Sequence, residues 1–264
     1  MIKFSRISAI IYRHLVPTFR DPIRLTDMAY YPLVDLILFG FLGVWAHGSQ
    51  TGSDNFVFAL LTSIACWYLV YRSTLEISRN LLIEIWDSSL VNLLATPLTT
   101  TEFMISLMTL GFIQAFITFI YSSLLILLIF SKNIFSVYPL IAPYLPLFIV
   151  CGWIIGILTS ALIFYFGKSI EFITWAIPCL FAILSGSFCS IDLFPHWVQK
   201  IASLFPLKYL FILVRQAIDQ KSVNIFSHNF FIATLLTVFY FILVSLFLTY
   251  MVNKAKNKGL NNLG

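Results

Sequence analysis

The sequence predicts an all-α integral membrane protein with six transmembrane helices. Three observations carry that reading: 60% of the 264 residues are hydrophobic, 10% are charged, and mean hydropathy is +0.94. Soluble domains carry about 25% charged residues. Uncharged runs of about 18 residues or more recur here, and about 20 apolar residues cross the hydrocarbon core of a bilayer. A membrane β-barrel would show alternating segments of about ten residues, and this sequence does not.

The elements follow in order. Residues 1–24 predict an interfacial helix: Phe4, Ile7, Ile10, Ile11 and Leu15 make an apolar stripe, Lys3, Arg6 and Arg13 lie toward the other side, and Pro22 ends the helix. Span one is read at about 29–46, with Tyr30, Tyr31 and Trp45 at interface levels. Span two, about 56–71, runs to Arg72 and Arg79. Span three lies between Glu102 and Lys132, at about 103–130. Pro139, Pro143 and Pro146 predict an irregular entry to span four, about 144–166. Lys168 and Glu171 mark a turn before span five, about 172–188. Residues 189–228 are apolar but carry scattered charges. Pro195 and Pro206 each suit the first turn of a short helix there. Span six is about 229–252.

Six spans put both termini on one side. With the N-terminus inside, inner segments hold 11 Lys/Arg: five before residue 25, then Arg72, Arg79 and Lys168, and three in the tail. Outer segments hold five: Lys132, Lys200, Lys208, Arg215 and Lys221. The excess favours cytoplasmic termini. This distribution suits a membrane protein better than a nucleic-acid binder.

Between spans two and three, residues 83–98 predict a separate helix of about three turns. Ile83, Trp86, Leu90 and Leu93 share an apolar stripe, with Glu84, Asp87, Ser88 and Asn92 opposite. Thr96 before Pro97 ends it, and Thr99 with Glu102 reads as a capping box opening span three. Two readings stay open: a connector between spans, or a docking element for a cytosolic partner. Asp35, in the middle third of span one, is either a functional acid or a structural hydrogen-bond partner. Gly152, Gly156 and Ser160, spaced by four, predict close helix packing.

Several chemistries find no support. The Phe166–Ser169 stretch FGKS lacks the Gly that a phosphate-binding loop needs at position 162, which is Leu. The four cysteines and four histidines form no metal-ligand spacing and no catalytic set. Enzymatic activity is not expected of this chain, and neither is a bound cofactor.

Taken together, the segments resemble the permease subunit of ABC-2-type exporters along nearly the whole chain. The closest similarity is LEISRNLLIEIWDSSLVNLLATPLTTTEF at 75–103, where Glu84 is followed by Leu93–Leu98 and then Glu102. The stretch LSGSFCSIDLFPHWVQKIASLFPLKYL at 184–210 resembles a second signature, with Gly186, Pro195 and Pro206 in order. FRDPIRLTDMAYYPLVDLILFGFL at 19–42 is similar to the entry of the family's first span.

The resemblance implies that 83–98 is a cytoplasmic coupling helix docking a separate ATPase through Glu84, Trp86, Asp87, Ser88 and Asn92. It implies that 189–228, with Lys208 and Arg215, is an outer re-entrant helix pair. A second permease copy, membrane lipid, and ATP with Mg held by the partner ATPase complete the expected assembly, in a bacterial inner membrane. Its cargo would be amphiphilic, lipid, glycan or drug-like. The alternative is an ion-coupled secondary transporter using Asp35 and Glu171.

Overall fold

The computed structural model describes residues 3–48, 54–87, 89, 96–223 and 226–257. Among them are ten α-helices and no strand. They are α1 (Phe4–Arg20), α2 (Pro22–Gly48), α3 (Asp54–Trp86), α4 (Thr100–Phe130), α5 (Tyr138–Ile141), α6 (Leu145–Phe166), α7 (Ile173–Ser185), α8 (His196–Ala202), α9 (Pro206–Gln220) and α10 (His228–Asn257). Five of these, α2, α3, α4, α6 and α10, are long and apolar enough to cross a membrane, and a sixth crossing is counted if α8 and α9 make one bent span.

The helix α3 is the axis of the bundle, packed mainly on α4 and α6 and also on α2, α7 and α9, while α10 leans on α6 and α9. Close approach of α6 to α3 depends on the predicted small residues. A Cβ at Gly152 would meet the Val70 carbonyl oxygen at 2.7 Å, and one at Gly156 would meet Ile77 at 3.0 Å. Thr74 Oγ1 then donates to the Gly152 carbonyl at 2.9 Å.

Local signals placed several boundaries correctly. Thr99 caps α4 in a capping box with Glu102. Pro195 and Pro206 stand at the N-termini of α8 and α9, and a short 3-10 turn with α5 forms the irregular entry before α6. Pro32 lies inside α2 without ending it.

Three expectations need correction. The second long helix does not stop near residue 71 but continues to Trp86, because its charges pair inside the bundle instead of meeting water. Ile83–Trp86 is therefore the last turn of α3, and most of the rest of the expected 83–98 helix lies outside the described residues. The helix at the position of span five, α7, has 13 residues and so a length of about 20 Å, short of the roughly 30 Å hydrocarbon core. On α1 the buried residues are Ile7, Ile10, His14 and Thr18, with Phe4 exposed. The bundle-facing side of α1 is thus part polar, and Phe4, Tyr12 and Phe19 form an adjoining exposed apolar face.

Candidate functional site

Along α3 a row of polar side chains recurs every fourth residue: Tyr68, Arg72, Glu76, Asn80 and Glu84. Residues four apart stack on one helix face, and at 1.5 Å per residue the row extends about 24 Å. All five are buried to 3% exposure or less. Polar groups placed so deeply need partners, and the row finds them on three neighbouring helices.

At one end, Tyr68 donates its hydroxyl to Asp35 Oδ2 on α2 at 2.6 Å. Arg72 follows, donating to Glu76 Oε1 at 2.9 Å and to Gln114 Oε1 on α4 at 2.9 Å, with Asp27 of α2 at 3.8 Å. Asp27 also pairs with Arg79. Gln114 passes its amide to Thr18 of α1 at 3.4 Å, and Asn80 donates to Glu76 Oε2 at 3.1 Å. At the far end Glu84 accepts from Arg13 at 2.9 Å and from the Ser89 hydroxyl. His14 Nε2 lies 3.2 Å from Glu84 Oε1, at ion-pair distance but off hydrogen-bond alignment.

A second anchor completes this end. Glu102, at the start of α4, accepts the Lys3 backbone N–H at 2.9 Å and faces Arg6 at 3.5 Å. Arg6 also donates to the Pro97 carbonyl oxygen. The two carboxylates that hold α1 therefore flank residues 87–99, one at the end of α3 and one at the start of α4. A cleft of about 510 Å³ lies along this junction, lined by Arg6, Ile10 and Arg13 on one side and Thr96, Pro97 and Leu98 on the other.

The expected docking set divides. Glu84 is 2% exposed and faces α1 rather than outward, because position 84 continues the buried row set by 72, 76 and 80. Trp86 and Asp87 are exposed at the end of α3. Ser88 and Asn92 lie outside the described residues. The two acids expected on one ion path are not brought together: Asp35 lines a cavity between α2, α3 and α7, whereas Glu171 is exposed in the turn before α7 and does not line it.

In the bent pair, α8 and α9 meet at 95°. Gly186 caps α7 with φ +75°, and its carbonyl accepts from Arg215 of α9, which fastens the pair to α7. Lys208 lies over the Tyr209 ring at 5.9 Å.

Sequence reasoning missed Tyr68, Glu76, Asn80 and Gln114, and took Arg72 and Arg79 for charges at a span boundary. The available signal was the recurrence at spacing four through residues 68–84. Comparison with family models and with curated proteins gives no match for this chain.

Proposed function

We propose that the chain is the permease subunit of an ATP-driven ABC-2-type exporter, moving an amphiphilic, lipid, glycan or drug-like cargo outward when docked to a separate ATPase. In this reading two permease copies pair in a bacterial inner membrane with both termini cytoplasmic, which makes the short α7 the fifth crossing, met by local thinning of the bilayer. The coupling element is residues 83–98, beginning at the last turn of α3, and α8–α9 form the outer re-entrant pair.

The observation that supports it most is the double anchorage of α1. Glu84 and Glu102 grip the same helix from either side of residues 87–99, so a push on that segment is transmitted to α1, α3 and α4 together. The buried row ties α3 to α1, α2 and α4 through Arg13–Glu84, Tyr68–Asp35 and Arg72–Gln114, so these helices move with α3 when the segment is pushed. Trp86 and Asp87, exposed at the end of α3, supply the contact surface. ATP and Mg are bound by the partner, whose closure drives the tilt of α3 and α4.

The test is isolation of the native complex in mild detergent and its return to vesicles. An ATPase subunit in equal amount to the permease, and cargo movement that needs ATP, are the expected results. Transport driven by an ion gradient with no ATPase present would replace this reading with a secondary transporter.

A further inference from the structure

We propose that the cavity between α2, α3 and α7 is a binding site for an organic cation, whose ammonium head sits against Asp35 inside an aromatic box. The cavity holds about 190 Å³. Each of its helices contributes an aromatic side chain: Tyr31 from α2, Trp67 and Tyr71 from α3, and Trp175 from α7, with Phe188 beyond it and Cys179 and Ala182 of α7 completing the lining. Ring faces carry negative quadrupole charge and attract cations, most strongly where water is scarce.

Asp35 is the carboxylate in this wall, and its surroundings leave its charge unmatched. One oxygen accepts the Tyr68 hydroxyl at 2.6 Å, which fixes the group in place without neutralising it. Among the described residues no Lys, Arg or His lies within ion-pair distance of Asp35. The nearby cations are already matched. Arg72 pairs with Glu76 and Asp27, and Arg79 pairs with Asp27. Two positive and two negative groups thus form a closed set, and Asp35 stands outside it.

Trp175 shows how the box works. Its ring already receives a cation from the protein, the Arg79 guanidinium at 5.3 Å from the centroid. A carboxylate at mid-span without a cation is costly, and a bound ammonium supplies the missing charge. A neutral sugar would want several hydrogen-bonding groups, whereas the fixed Asp35–Tyr68 pair leaves a wall dominated by rings.

This inference goes beyond the transport reading and is tested on the purified chain alone, without ATPase, nucleotide or gradient. Cys179 lines the cavity and is exposed, Cys66 and Cys151 are buried, and Cys189 is the other exposed thiol. In a Cys189→Ser background, the rate of Cys179 modification by N-ethylmaleimide therefore reports occupancy. The probes are choline and its neutral isostere 3,3-dimethylbutan-1-ol.

Choline should slow labelling and the alcohol should not. Asp35→Asn keeps an acceptor for Tyr68 but removes the charge, and should raise the half-protecting choline concentration by about tenfold or more. Trp175→Leu, at a half-exposed position, should weaken protection as a second and less invasive variant. Glu171→Gln, at an exposed acid away from the cavity, should leave protection unchanged. Absence of protection by millimolar choline, equal protection by the alcohol, or unchanged protection in both Asp35→Asn and Trp175→Leu would each overturn the site. None of these results bears on ATP-driven transport.

Discussion

The helices α3 and α10 are similar in length and both are apolar enough to span a bilayer, yet they are built for opposite surroundings. Most of α3 is buried by other helices and carries the Tyr68–Glu84 row, while little of α10 is buried and it presents Phe231, Leu235, Phe239, Ile242 and Leu246 outward. Hydropathy finds both helices. The difference teaches that in this fold the chemistry lies where an apolar helix carries charges it does not need for solubility.

Breaking the comparison at its strongest point means removing Arg72. Arg72→Leu leaves Asp27, Glu76 and Gln114 short of a partner, and orphaning a buried ion-pair partner costs about 3–5 kcal/mol. The expected outcome is a collapse of the folded fraction, read by size-exclusion profile and thermal melt in detergent. Retention of the wild-type melt would show that the row is not structural.

Gly152→Leu follows in size. It drives a side chain into Ser73 and the Val70 carbonyl oxygen, and overpacking of this kind costs about 1–3 kcal/mol. A lowered melting temperature with intact secondary structure is expected.

Glu84→Gln should be milder, because an amide oxygen still accepts from Ser89 and Arg13 while the charge is lost. The loss is expected at about 1 kcal/mol, the difference between a charge-assisted and a neutral hydrogen bond. Its specific readout is faster proteolytic release of α1, since Glu84 is one of its two anchors. Unchanged cleavage would remove the anchoring role.

Leu246→Ala on α10 marks the small end of the scale. At 68% exposure it should shift stability by no more than about 0.5 kcal/mol. A larger loss would reveal a packing partner for α10, such as a second copy of the chain.

How much of this was legible beforehand depends on the range of the interaction. The Thr99–Glu102 capping box, the Gly152 and Gly156 contacts and the prolines opening α8 and α9 are local, or need only a small side chain at a fixed spacing, and were readable from sequence. Asp35 stood out as a lone acid in an apolar run. The Arg13–Glu84, Arg72–Gln114 and Arg79–Asp27 pairs are separated by 71, 42 and 52 residues, and no window of periodicity reaches that far. Charges in an apolar sequence usually mark the end of a span, so Arg72 and Arg79 pointed to a boundary that tertiary pairing removes. Glu84 was expected on an outward docking face and is buried against α1 instead, since the face opposite an apolar stripe can bury against another helix instead of meeting water.

The transport reading meets its most direct test at Asp87, the exposed acid next to buried Glu84. In vesicles holding the native complex, Asp87→Arg should leave the thermal melt of the permease unchanged while abolishing ATPase association and ATP-driven cargo movement. Undiminished ATP-driven movement with Asp87→Arg, or movement that follows an ion gradient without any ATPase, would contradict it.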